Sequence, residues 1–197
     1  MSAMARYSAV AIGLHWAIAA LVGTQIVIGL AMVHLALPGE LSFSVFLTHR
    51  ALGVTILALV ACRIAWRLTH RPPALPSSCF HAGPVPSLLP RLASGTHGGL
   101  YVCQILSPLT GWALASIDDP DMPIGVFGLF DWPLLPLSGA IRFEPVLGVV
   151  HRWSGWMFAA LIVLHAGAAL WHGLVRRDGV MRRMMFAGDV GKKKTPK

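Results

Sequence analysis

The chain has 197 residues, of which 55% are hydrophobic and 12% are charged, and its mean hydropathy is +0.66. This composition excludes a disordered chain and is typical of an integral membrane protein. The net charge of +8 does not indicate nucleic-acid binding, because the basic residues are distributed as membrane topology requires.

Four apolar segments are each long enough to cross a bilayer with some tilt. They predict an all-α membrane protein, a bundle of four transmembrane helices that forms a single domain over residues 1–197. The predicted spans cover residues 10–33, 46–68, 97–117 and 147–175, and residues 176–197 form a tail.

The basic residues also predict the orientation of the bundle. Of the 16 Lys and Arg residues, all but Arg50, Arg142 and Arg152 lie before the first span, at the end of the second span and in the loop after it, or after the fourth. Because basic residues concentrate on the cytoplasmic side, both termini are predicted to be cytoplasmic. This basic surface is also suited to anionic membrane lipid. The first segment has no small-residue cleavage site, which favours a retained span over a signal peptide.

The first two spans each contain a histidine. His15 lies near the cytoplasmic start of the first span, whereas His49 lies at the external start of the second and is followed directly by Arg50. An ionisable side chain inside a span is costly, so each histidine indicates a functional site. The proline-rich stretch over residues 69–90 predicts an irregular loop.

The third span opens with His97. The segment that follows, residues 116–145, is long and apolar, which predicts a loop that lies on the membrane surface and covers the bundle. The fourth span carries His151, followed directly by Arg152, and then His165.

The two histidines of the fourth span lie on one stripe of the helix. Fourteen residues separate them, which is about 1400° of rotation, roughly 40° from four full turns, and about 21 Å along the axis. With alternating helix directions, His49 matches the depth of His151, and His15 matches that of His165. Two pairs of neutral imidazoles at two depths are what two bis-histidine b-type haems require.

Other interpretations remain open at this point. A single buried histidine is about as often a hydrogen-bonded core residue as a ligand. Zinc is disfavoured, because two histidines without a nearby carboxylate or thiolate make a poor zinc site. His97 can replace His15 or His165 as a ligand, or bond a haem propionate or a quinone head, and His172 is a further candidate on the stripe of His165.

Two arginines follow the external histidines. Arg50 and Arg152 either pair with haem propionates in a bidentate way or mark the membrane interface. In both cases they would make the external mouth of the bundle locally positive, which draws in a small anion.

The ordered motifs resemble those of the bacterial cytochrome b561 family from residue 7 to about 188. They are LHWAIAALVGTQIVIGLAM and THRALGVTILALVACRIAWRL in the first two spans, HGGLYVCQILSPLTGW in the third, GVFGLFDWPLLPL after it, and HRWSGWMFAALIVLHAGAALWH in the fourth. The resemblance implies a multi-pass protein of the bacterial inner membrane that contains iron as two haem b groups. It implies that His15 and His165 ligate the cytoplasmic-side haem, and His49 and His151 the external-side haem.

The resemblance also implies exchange of electrons with membrane quinone and, as in at least one relative, oxidation of superoxide at the external face. The expected activity is therefore that of a superoxide:ubiquinone oxidoreductase. The alternative is an electron-carrying membrane anchor subunit for a periplasmic dehydrogenase or hydrogenase, which would act as the redox partner. A haem-free transporter or structural membrane protein is the third class.

Overall fold

The computed structural model describes residues 6–71, 73, 88–137 and 139–186, with the backbone alone for residues 88–90. Within these ranges the chain forms four long helices, α1 (Ala9–His34), α2 (Gly39–Thr69), α3 (Leu88–Asp118) and α4 (Glu144–Leu170). A π-helix over Trp171–Arg176 continues α4. All four helices are long and apolar enough to cross a membrane, which confirms the predicted four-helix membrane bundle. The assignment of all 197 residues to one domain stays a prediction.

Two helices begin seven or more residues before the predicted spans. α2 begins at Gly39 and α3 at Leu88, instead of residues 46 and 97, and each has 31 residues. A helix of that length spans about 46 Å, more than the ~30 Å hydrocarbon core, so its first turns extend beyond the apolar segment that hydropathy detects. The prediction of an irregular loop over residues 69–90 was therefore wrong for residues 88–90, which are helical. Pro90 lies in the first turn of α3, where a missing N–H is tolerated. Most of that loop lies outside the described residues.

The helices pack mainly through one apolar cluster. α1 contacts α2, α2 contacts α3, and α3 contacts α4. The buried members of the cluster come from all four helices and are Ile18, Val22, Ile56, Val60, Leu100, Cys103 and Phe158. Many large apolar side chains elsewhere are exposed, including Val33 and Val163, at 75% and 73%. In a bilayer these side chains contact lipid.

A β-hairpin packs onto one end of the bundle. Strands β1 (Ile124–Val126) and β2 (Phe130–Trp132) pair antiparallel. Ile124 and Val126 are buried against Val54 of α2 and Ala115 of α3. The segment after α3 therefore covers the bundle, as predicted, although the hairpin itself was not predicted.

Both described chain ends meet at the opposite end of the bundle. Tyr7 donates its backbone N–H to the Arg183 carbonyl at 3.3 Å, and the indole N–H of Trp16 donates to the Met184 carbonyl at 2.7 Å. The Arg6 guanidinium donates to the Met185 carbonyl at 2.6 Å. These contacts place the two described chain ends at the same end of the bundle. That this end is cytoplasmic stays a prediction.

Candidate functional site

His49 of α2 and His151 of α4 face each other near the β-hairpin, and we call them the hairpin-side pair. Their ring centroids are 6.2 Å apart and the ring planes lie at 82°. Nδ1 of His151 is 2.9 Å from the Ser107 carbonyl oxygen. A carbonyl can only accept, so Nδ1 carries the proton and Nε2 has the free lone pair. The protein thus fixes the tautomer and orientation of His151, as second-shell partners do for metal-ligating histidines.

Two glycines make room for these rings. A Cβ at position 29 would lie 3.4 Å from Cε1 of His49, and a Cβ at position 111 would lie 3.0 Å from Cε1 of His151. Nδ1 of His49 is buried and has no hydrogen-bond partner among the described residues. A buried polar atom without a partner is costly, so this nitrogen does not hold His49 in place as a hydrogen-bonded core residue.

His15 of α1 and His165 of α4 form the termini-side pair, toward the end where the chain ends meet. Their ring centroids are also 6.2 Å apart, with planes at 76°. His97 of α3 lies on the other side of His165, with a centroid separation of 5.2 Å. The structure therefore brings together both predicted pairs, and it places the competing histidine, His97, in the second site as well.

The geometry and chemistry of both pairs fit a haem iron between two imidazoles. Metal–imidazole bonds in proteins are about 2.0–2.1 Å in zinc sites, which places the centroids of two opposed rings roughly 6 Å apart. No group of three or more His, Cys, Asp or Glu side chains in the described ranges could hold a metal ion alone. Two imidazoles per site need further ligands from a cofactor, which the porphyrin nitrogens supply in haem.

Helix α4 buries few of its side chains against the other helices, and several glycines have open space beside them. Over its 27 residues, α4 buries only Ser154 and Phe158. A Cβ added at Gly13, Gly155 or Gly167 would meet no other atom within 4 Å. The described side chains therefore leave open space beside these three glycines.

The two arginines that directly follow His49 and His151 differ in their contacts. Arg50 is 7% exposed. Its guanidinium donates to the Met122 carbonyl at 2.9 Å and lies 3.5 Å from the Asp119 carboxylate. Arg50 therefore fastens the segment after α3 to the bundle. Arg152 is exposed and has no hydrogen bond or ion pair within the described part of the chain. A propionate contact for either stays a prediction.

His172 interacts with residues outside both histidine pairs. Its Nδ1 lies 2.6 Å from the Asp178 carboxylate, which also lies 3.5 Å from Arg176. Burial favours a higher pKa for Asp178, but the His172 hydrogen bond, the Val180 amide and the Arg176 charge together hold that pKa below its ordinary value. These contacts give no support to His172 as a replacement ligand.

Arg63 is a candidate residue that was not singled out from the sequence. Its Nε donates to the Tyr101 hydroxyl at 3.4 Å, and its charge is close enough to act on both His15 and His165. A signal was available, because Arg63 follows His49 on α2 by the same fourteen residues that separate the two histidines of α4. That spacing puts it on the helix stripe that faces the bundle interior, at the depth of the termini-side pair.

Comparison with known proteins gives consistent matches over the whole bundle. The family model described as prokaryotic cytochrome b561 matches residues 6–187. The chain is 30% identical over 183 residues to cytochrome b561 homolog 2 of Escherichia coli K12, covering 91% of each protein. It is 29% identical over 185 residues to the probable superoxide oxidase CybB of Yersinia pestis, covering 91% of this chain and 96% of that protein.

Proposed function

The chain belongs to the prokaryotic cytochrome b561 family, and on that premise we propose that it is a di-haem cytochrome that carries single electrons between the periplasmic side and the quinone pool. Membership of the family implies b-type haem. Together with the four membrane-crossing helices, it makes the chain a multi-pass protein of the bacterial inner membrane.

We assign the two haem sites to the two histidine pairs. The observation that carries this assignment is the equal 6.2 Å separation of the ring centroids in both pairs. His49 and His151 would hold one haem, and His15 and His165 the other. Haem with two imidazole ligands gives and accepts one electron and has no open position for oxygen. The chain's own part is to hold the imidazoles neutral and oriented and to surround them with apolar helices.

For the specific reaction we propose superoxide as electron donor and ubiquinone as acceptor. Two superoxide anions lose one electron each and become two molecules of O₂. Ubiquinone takes up the two electrons and two protons and becomes ubiquinol. The name of the Yersinia pestis relative, probable superoxide oxidase CybB, supports this choice. So does the exposed Arg152, directly after His151, because an unpaired positive charge at the mouth of the site attracts a small anion.

The second candidate function is that of a membrane anchor subunit for a periplasmic redox enzyme. The exposed tip of the β-hairpin favours it. Phe127, Leu129 and Phe130 are 55%, 79% and 55% exposed, and an exposed apolar patch often marks a protein–protein contact. Stopped-flow mixing of the oxidised protein with superoxide separates the two functions. A superoxide oxidase is expected to show haem reduction at about 10⁸ M⁻¹s⁻¹ or faster at low salt, whereas slow reduction favours the anchor subunit.

Arg152→Glu is expected to slow the reduction by superoxide about tenfold at low ionic strength, because electrostatic steering of an anion raises association rates by at least that factor. The rate should also become less sensitive to salt. The matched control is Arg91→Glu, which makes the same charge change at an exposed arginine toward the other end of the bundle. An equal effect of both substitutions would contradict a local role for Arg152.

Arg63→Gln is expected to lower the midpoint potential of the termini-side haem. A nearby positive charge disfavours the more positive oxidised state, so its removal favours oxidation. The expected shift is on the order of 50 mV, since a tenfold change in the equilibrium is 59 mV for one electron. A spectroscopic redox titration measures it. Arg67→Gln is the matched control, because Arg67 donates to the same Tyr101 hydroxyl at 3.3 Å but is exposed. A shift in the midpoint potential of the hairpin-side haem instead would contradict the placement of Arg63 near the termini-side pair.

A further inference from the structure

The chain reverses sharply where α4 leaves the membrane. The π-helix ends at Arg176, and the next residue, Arg177, has a φ of 50° in the left-handed region. Gly179 follows with a φ of 81°. A non-glycine residue in that region is uncommon and is held there by its surroundings. The reversal lays a 3₁₀ helix, Met181–Met184, against the last turns of α4.

A cavity of about 410 Å³ lies between these two segments. Its charged lining consists of Arg177 and Arg182, and no carboxylate lines it. Leu174, Met181 and Met185 supply apolar walls. Asp178, the acidic residue within the reversal, is already bound to His172 and Arg176. The cavity is therefore ligand-sized and carries an uncompensated positive charge.

Both guanidinium groups are available to a ligand. Arg177 uses Nε to donate to the Leu174 carbonyl at 3.1 Å, and its two terminal nitrogens make no hydrogen bond to a described residue. The Arg182 side chain has no hydrogen bond or ion pair within the described ranges. Two guanidinium groups around one cavity are suited to an oxyanion such as phosphate, which they bind with paired N–H donors.

The apolar surface beside the cavity identifies the source of that oxyanion. Trp171, Leu174 and Val175, in the last turns of the fourth span, are 56%, 67% and 58% exposed. In a bilayer these side chains contact acyl chains, and tryptophan is typical of the headgroup level. A phosphate in the cavity would therefore continue directly into lipid tails along α4.

We propose that this cavity binds the headgroup of an anionic phospholipid, with the phosphate held by Arg177 and Arg182 and the tails along the exposed face of the last turns of α4. A neutral quinone head has no negative charge for the two arginines to bind. A zwitterionic lipid carries a cation of its own, and the cavity has no carboxylate that could bind that cation. The bound lipid fastens the 3₁₀ helix, and with it the contact between Met184 and Trp16, to the end of α4. The site is independent of the electron-transfer reaction.

The test measures lipid binding to the detergent-purified holoprotein by native mass spectrometry, with phosphatidylglycerol, phosphatidylcholine and inorganic phosphate as separate probes. Each basic residue near an anionic lipid contributes about fivefold to binding, so Arg177→Gln with Arg182→Gln is expected to weaken phosphatidylglycerol binding roughly 25-fold. The control pair Arg142→Gln with Arg152→Gln removes two exposed arginines near the other end of the fourth span and should leave that binding unchanged.

Three results would overturn the proposal. These are equal binding of phosphatidylcholine and phosphatidylglycerol, unchanged phosphatidylglycerol binding by the Arg177 and Arg182 variant, and displacement of the lipid by inorganic phosphate at a similar concentration. The last would identify a site for free phosphate. An unchanged haem spectrum checks the fold of each variant. If the glutamine pair does not fold, Arg177→Lys with Arg182→Lys serves instead. It keeps the charge but loses the paired donors, so its binding is expected to weaken severalfold, and binding as tight as wild type would again contradict the proposal.

Discussion

His49→Ala and His151→Ala are each expected to remove the same haem and to leave the other in place. Loss of either imidazole leaves the iron of the hairpin-side haem with one protein ligand, and the haem content should fall from about two to about one per chain. Pyridine haemochrome analysis measures the content. A redox titration gives the midpoint potential of the haem that each variant retains, and so shows whether both variants retain the same haem.

Two controls separate ligand loss from misfolding. His34→Ala removes an exposed histidine outside both pairs and should retain both haems. His151→Gly, grown or reconstituted with imidazole, should regain the missing haem, because a free imidazole can occupy the space that the side chain leaves. Loss of a different haem from His49→Ala than from His151→Ala would show that these residues do not share one site.

His165→Ala is expected to remove the termini-side haem, whereas His97→Ala should retain it. This result depends on whether His15 or His97 is the second ligand of the haem that His165 binds. The His15–His165 separation of 6.2 Å equals that of the hairpin-side pair, whereas His97 lies only 5.2 Å from His165. We therefore expect His15→Ala to have the same effect as His165→Ala, with the haem content again falling from about two to about one. Haem loss in His97→Ala with retention in His15→Ala would reverse the ligand assignment.

The bundle and its histidine pairs could be predicted because both depend on periodic patterns. Hydropathy finds a segment of apolar residues regardless of its neighbours. The fourteen-residue spacing in α4 fixes the relative depth and direction of His151 and His165 by helix geometry alone. The alternating direction of the helices then matches His151 to His49 and His165 to His15, because the members of each pair lie at the same depth. These inferences use the helix period and the bilayer thickness, and no tertiary contact.

The rest depends on contacts that no local pattern encodes. The β-hairpin turns at Phe127 and Gly128, both with positive φ, and phenylalanine at such a position is not a turn signal. Arg50 binds Asp119 and Met122, which lie about seventy positions later in the chain. The proximity of His97 to His165 depends on how α3 is rotated against α4, which sequence spacing within either helix does not determine.

The most direct test of the two-pair assignment is the haem-to-polypeptide ratio of the wild-type protein purified from membranes. A reduced-minus-oxidised spectrum should show a b-type alpha band, and pyridine haemochrome analysis should give about two haems per chain. A ratio of one, or protein without haem, would contradict the claim that each histidine pair holds its own haem.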